Sequence, residues 1–280
     1  MGMIKYDSGK KYPSGLPIMG STDENIAKVL DQAKRRNKRS WDYIAIIAGN
    51  CGAGKSTLAR GLANYCDRNF DEWKIAFDAE QFIEITTRAP QYSAVILDES
   101  FADFNSRAGS SKSFLKVINH IQLIRQKNLF VFLCLPNFFD LSKTIAIFRT
   151  NHLFVAYANQ DGVRGSYAVF DRIKKKNLYI LGQKFLNYHA VKPNFHARYY
   201  KDEDAMNNKL YEELKNKHYI EQNKKIDTGN IKNERNNILY KLKKEHGWST
   251  KDVAKISELS NPQINKIVAT YTQITQNAVS

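Results

Sequence analysis

The sequence predicts an α/β protein, a parallel sheet flanked by helices, followed by a small all-α module. Short apolar runs alternate with longer amphipathic ones between residues 43 and 157, and a glycine-rich loop follows the first run. Beyond residue 230 the texture changes to short helices with sharp starts. At 280 residues and 42% hydrophobic content the chain is long enough for one α/β core and one smaller module.

Taken in order, residues 1–40 read as an N-terminal arm and a basic helix. Met1 to Gly20 mix Gly, Pro, Ser and Lys as a tail would, and a helical stretch from about Asp23 ends in Lys34, Arg35, Arg36, Lys38 and Arg39. That run suits a nucleic-acid contact, or a solvated helix end where the dipole favours cations. Residues 41–200 form the main domain. Its expected buried strands are Tyr43 to Ala48, Lys74 to Phe77, Ala94 to Leu97, Leu129 to Leu135 and Leu153 to Tyr157. Between the third and fourth, Phe114, Val117, Ile118, Ile121 and Ile124 share one face of a helix over Lys112 to Lys127. Strands and helices alternating in this way call for a parallel sheet.

Tyr167 to Asp171 and Leu178 to Leu181 flank Arg172, Lys174, Lys175, Lys176 and Asn177, which predicts a β-hairpin with a basic tip, set against DNA or guarding a sheet edge. Residues 201–229 read as a charged helical linker and 230–280 as the all-α module.

A formal net charge of +15 favours an anionic partner, nucleic acid first, though charge equally admits an anionic membrane surface. The three cysteines lack metal-ligand spacing and the six histidines are scattered, which fits a reducing compartment. The N-terminus has no apolar signal core, and Leu129 to Leu135 is too short to span a bilayer. The expectation is a cytoplasmic protein with no membrane span.

The chemistry concentrates at Gly49-Asn50-Cys51-Gly52-Ala53-Gly54-Lys55-Ser56, with Thr57 following, which matches G-x-x-x-x-G-K-[ST]. A strand precedes this phosphate loop and a helical run follows it. Glycines let backbone N–H groups close around phosphate oxygens, and the helix N-terminus adds its positive end. Lys55 would meet the β- and γ-phosphates of ATP, and Ser56 would ligate Mg²⁺. Cys51 contributes backbone only.

The second half of the site is Ala94-Val95-Ile96-Leu97-Asp98-Glu99, an apolar strand that delivers carboxylates at its C-terminal end, where open α/β sheets bind ligands. Asp98 is the candidate Mg²⁺ holder, and Glu99 the group that polarises the attacking water. Asn137, after Leu135-Pro136, is either a γ-phosphate sensor or a turn residue. Such sites also use an arginine, often supplied by a neighbouring subunit, to stabilise charge in the transition state, and Arg149 is favoured for it ahead of Arg107.

In the C-terminal module, an amphipathic helix around Ile231 to His246 precedes two capped starts, Ser249-Thr250-Lys251-Asp252 and Ser260-Asn261-Pro262-Gln263. Val253, Ala254, Ile256, Leu259, Ile264 and Ile267 have the spacing of two short helices packed on a third. This resembles the helix-turn-helix of resolvase-like and repressor-like domains, except that Glu258 stands where the family usually has Gly in the turn. The resemblance implies that Ser260, Asn261, Gln263, Asn265 and Lys266 face the major groove of double-stranded DNA. The other reading is a three-helix bundle for protein contacts.

The Leu97-Asp98-Glu99 motif, Ile124-Arg125-Gln126-Lys127-Asn128 before an apolar strand, and Leu135-Pro136-Asn137 followed by Ile145 to Arg149 resemble FtsK/HerA and zonula-occludens-toxin-like P-loop ATPases of phages and plasmids. The resemblance covers about Ile44 to Tyr157. It implies an additional strand between phosphate loop and acidic motif, and an oligomeric, ring-forming motor on DNA used in packaging, translocation or transfer. Two alternatives stand beside this DNA-dependent ATPase. One is an ATP-switched DNA-binding adaptor of the transposition or helicase-loader type, and the other a small-molecule kinase using Asp78 or Glu80.

Overall fold

The computed structural model describes residues 2–98, 112–158, 162–199 and 206–277. The chain divides into two compact units, Met1–Glu212 and Glu213–Ser280. Glu99 and Arg107 lie outside the described residues.

The first unit is built on a seven-stranded sheet, ordered β4-β5-β6-β3-β7-β8-β9. These strands are β3 (Tyr43–Ala48), β4 (Ile75–Ala76), β5 (Ala94–Asp98), β6 (Phe130–Leu135), β7 (His152–Tyr157), β8 (Ser166–Phe170) and β9 (Phe195–Arg198). Strands β4 to β7 and β3 run parallel, whereas β8 and β9 turn antiparallel. Every residue of β3, β5 and β6 is buried, as continuous apolar runs require when helices cover both faces of a parallel sheet. Strand β6 lies between β3 and β5, as the resemblance implies. Its register aligns Ile47 with Cys134 and Cys134 with Asp98, so the phosphate loop and the carboxylate emerge from one edge, two strand spacings or about 10 Å apart.

Helix α1 (Glu24–Asn37) starts at Asp23, whose carboxylate accepts from the Asn25 amide at 2.9 Å. It buries Ile26, Ala27, Leu30 and Ala33. Helix α2 (Lys55–Cys66) follows the phosphate loop, α3 (Ala79–Arg88) follows β4, and α4 (Lys112–Leu123) leads into a tight turn over Ile124–Lys127 before β6. Val117 and Ile121 of α4 are buried in the core. The expected side-chain positions of Phe114, Ile118 and Ile124 lie outside the described set.

Four expectations change. Residues 3–23 are not a tail: Met3–Lys11 (β1) and Pro17–Asp23 (β2) form an antiparallel hairpin. Its turn uses Gly15 at φ +82°, and Tyr6 packs edge-on against Tyr65 of α2 at 5.0 Å. The second strand shrinks to Ile75–Ala76, with Lys74 in a preceding 3-10 turn where its ammonium meets Asp67 at 2.7 Å. The basic-tipped hairpin is instead a strand followed by a helix, α5 (Arg172–Gly182). Asp171 decides this, because its carboxylate accepts from the Ile173 and Lys174 amides at 3.0 and 2.8 Å and so starts a helix. Lys175 then points inward, fully buried, donating to the Thr150 hydroxyl at 2.7 Å and to the Ala146 carbonyl. Finally, the expected linker and third helix are continuous as α6 (Asn208–Lys244).

In the second unit, α7 (Thr250–Ser257) and α8 (Asn261–Asn277) pack with α6 around buried Leu239, Val253, Ile264 and Val268. Ser249 caps α7 through the Asp252 amide at 3.2 Å, and the Gln263 side chain reaches back to the Ser260 amide at 2.9 Å. Between these helices Glu258 adopts the left-handed conformation, φ +56°, at the position where a glycine is otherwise expected.

Candidate nucleotide-phosphate site

The site begins where β3 ends. Gly49, Gly52 and Gly54 carry φ of +147°, +79° and +90°, a run that side-chain-bearing residues adopt only with strain. Space imposes the same choice, since a side chain on Gly49 would collide with the Ala156 carbonyl, and one on Gly54 with the Tyr199 hydroxyl. Lys55 is buried, its ammonium donating to the carbonyls of Gly49 and Asn50 at 2.9 and 3.0 Å. The charge is therefore held inside the loop rather than spread on the surface. Cys51 is exposed and bonded to no other cysteine.

Ser56, on the first turn of α2, donates to Asp98 Oδ1 at 3.0 Å. Asp98 is 2% exposed, and its other oxygen accepts from the Tyr211 hydroxyl at 2.6 Å. Burial, and then the Asp98 charge, push the Tyr211 phenol well above its ordinary pKa, so it stays a donor throughout the accessible pH range. Tyr211 is itself held by Arg60, whose guanidinium lies 4.8 Å from the ring centre and pairs with buried Glu72 at 3.2 Å. Sequence reasoning missed Tyr211 and Arg60, because neither belongs to a local motif and the contact spans 113 residues.

A hydroxyl and a carboxylate oxygen at this separation are the hard oxygen donors that suit Mg²⁺. Among the described residues no group of three or more His, Cys, Asp or Glu side chains could cage a metal ion. A cation here would thus draw its remaining oxygens from phosphate and water, the usual coordination of Mg²⁺ at a nucleotide.

The other expected residues fall as follows. Asn137 closes a turn: its carbonyl oxygen accepts from the Phe139 amide at 3.3 Å and the Tyr188 hydroxyl at 3.1 Å, and its amide donates to Asp140 at 3.1 Å. These contacts are those of a turn residue, one of the two readings of Asn137. Arg149 precedes the N-terminal end of β7, at the opposite edge of the sheet from the phosphate loop, and donates to the Ile121 carbonyl at 3.3 Å. The chain's own phosphate site does not include it. Asp78 caps α3 through the Gln81 amide at 2.7 Å, and Glu80 is exposed.

In the second unit Ser260, Asn261, Gln263, Asn265 and Lys266 are all exposed near the start of α8. Gln263 is engaged in capping, and Asn265 accepts from Lys243 at 2.9 Å. Of the basic run on α1, Arg35, Arg36, Lys38 and Arg39 are exposed, Arg36 lying over Trp41, while Lys34 sits 3.9 Å over the Tyr65 ring. No helix among the described residues is long and apolar enough to cross a membrane.

The parallel sheet with its loop and flanking helices fits a P-loop NTPase fold. No protein-family model matches the chain. No curated protein matches it in sequence. Among solved structures it is similar to the N-terminal domain of zonular occludens toxin from Neisseria meningitidis, at 16% identity and a TM-score of 0.41, over 59% of this chain and 98% of that one. It is also similar to the genome-packaging NTPase of Sulfolobus turreted icosahedral virus 2 in complex with AMPPCP, at 12% identity and a TM-score of 0.35, over 48% of this chain and 94% of that one. The complex of the same NTPase with AMP gives 12% identity and a TM-score of 0.33.

Proposed function

We propose that the chain is an ATP hydrolase whose turnover is linked to duplex DNA, of the phage and plasmid motor kind used in packaging, translocation or transfer. The observation that carries the nucleotide half is the hydrogen bond from Ser56 to buried Asp98 at 3.0 Å beside a loop that encloses the Lys55 ammonium. In this reading the backbone amides of Gly49 to Thr57 hold the phosphates and Lys55 neutralises charge on the β- and γ-oxygens. Ser56 and Asp98 would hold Mg²⁺, which would supply polarisation of the phosphoryl group. Glu99 orients the attacking water, and in-line positioning with charge stabilisation supplies most of the rate.

The DNA half rests on the net charge of +15 and on the exposed start of α8, read as a recognition helix whose Asn and Gln side chains can pair with adenine. Motors of this kind act as rings, and self-association belongs to the same reading. Steady-state ATP hydrolysis with and without duplex DNA, at low and moderate salt, tests it. Stimulation that fades as salt rises is expected; a rate indifferent to DNA at every salt concentration would refute the DNA linkage.

One observation favours the second reading, an ATP-switched DNA-binding adaptor. Tyr211 occupies an oxygen of Asp98 and belongs to a helix that continues into the second unit. Slow turnover together with ATP-dependent assembly on DNA would select it.

A further inference from the structure

The strands beyond β3 do more than close the sheet's edge, because each glycine of the phosphate loop faces a residue of β7, of the segment before β8, or just past β9. Gly49 lies against the Ala156 carbonyl of β7, and Gly54 against the Tyr199 hydroxyl just past β9. Gly52, at the crest of the loop, has Arg164 Nη2 3.7 Å from the point where a side chain would begin, and nothing else that close among the described residues.

Arg164 is placed by backbone rather than by chance. The Tyr199 amide donates to the Gly165 carbonyl at 2.8 Å, one step beyond the last β8–β9 pair, Ser166 with Arg198. The ladder therefore runs up to the residue after Arg164. The Tyr199 hydroxyl donates to the Ala53 carbonyl at 3.2 Å, which ties the end of the extension to the loop itself. Burial raises the Tyr199 phenol while the Arg164 charge works against that rise, consistent with the two being neighbours.

The guanidinium is exposed and pairs with no carboxylate among the described residues. A buried or paired arginine would have a structural reason to be there. This one presents N–H donors in a planar fork, unpaired among the described residues and in the geometry that matches phosphate oxygens, to the crest of an anion-binding loop.

We infer that Arg164 is a second phosphate-contacting cation supplied by the same chain, reaching the nucleotide polyphosphate across Gly52 while Lys55 acts from within the loop. The inference rests on the nucleotide site proposed above. It assigns to β7–β9 the role of delivering a binding residue, and it requires no neighbouring subunit.

The test is a binding titration of AMPPCP with Mg²⁺ into the intact chain and into Arg164→Ala and Arg164→Lys. Loss of a charge-assisted hydrogen bond predicts affinity lower by about tenfold or more in Arg164→Ala. Partial recovery is expected in Arg164→Lys, which restores the charge without the fork. The nucleotide-free melting temperatures should coincide, because the side chain is exposed and unpaired. Arg164→Ala binding as tightly as the unaltered chain overturns the inference alone, and so does an affinity loss matched by a lowered melting temperature. An unaltered chain that takes up no AMPPCP overturns the nucleotide-site reading, and the inference with it.

Discussion

Asp98 has both carboxylate oxygens occupied by hydroxyl donors, Ser56 on one side and Tyr211 on the other. Because the group is buried, removing one donor leaves a carboxyl oxygen without that partner in a poor solvent. Tyr211→Phe should lower the stability of the nucleotide-free chain by about 1–3 kcal/mol, read from thermal or denaturant unfolding. An unchanged midpoint would mean that the contact contributes nothing. A second, half-buried group sets a pH response. His152 packs beside Tyr43, its pKa depressed from 6.5 to about 4, chiefly by burial. The folded chain thus keeps this imidazole neutral while the unfolded chain protonates it. Between pH 6.5 and about 4 the unfolded state binds the extra proton, so stability is complete above the upper value and falls as pH is lowered through the window. His152→Phe should lose about 1–3 kcal/mol less than the unaltered chain across that interval. Parallel pH profiles for the two proteins would contradict this.

Elements differ in how openly the sequence announces them. The α5 segment shows the difficulty: its lysines look like a hairpin tip, but Asp171 captures two amides and Lys175 finds three oxygen acceptors inside the core. Asp171→Ala should therefore cost about 0.5–2 kcal/mol through loss of the cap. Undiminished stability would show that packing alone starts the helix. Short-range signals, such as the phosphate loop, the run ending in Asp98, and the Ser249 cap, were legible because chemistry and geometry coincide within a few residues. The β1–β2 hairpin was obscured by its Pro, Ser and Gly content, though Pro13-Ser14-Gly15 is itself a turn signal. Arg164, Tyr199 and Tyr211 were illegible because only the folded sheet brings them to the loop. The turn before α8 carries its own test. Glu258 holds a left-handed conformation that costs a side-chain-bearing residue roughly 1–2 kcal/mol. Since glycine pays some entropy back to the unfolded state, Glu258→Gly should stabilise the second unit by only about 0.5–1 kcal/mol.

For the molecule as a whole, the fold brings the phosphate loop and Asp98 to one edge of a parallel sheet, and each part of that edge has a different place. β3 launches the loop, β5 delivers Asp98, β6 spaces them, and β7 to β9 with their flanking residues wall the loop with Ala156, Arg164 and Tyr199. A chain of +15 net charge will attract any polyanion, so charge cannot by itself separate DNA-linked turnover from non-specific binding. Variants at the loop can. Steady-state ATP hydrolysis should be compared in the intact chain, Lys55→Ala and Glu99→Gln, in Mg²⁺ with duplex DNA present. Loss of a charge aimed at the transferring phosphoryl group should lower the rate by about 100-fold or more in Lys55→Ala, and Glu99→Gln should fall comparably. Turnover that survives in Lys55→Ala at the rate of the unaltered chain would place hydrolysis somewhere other than this loop.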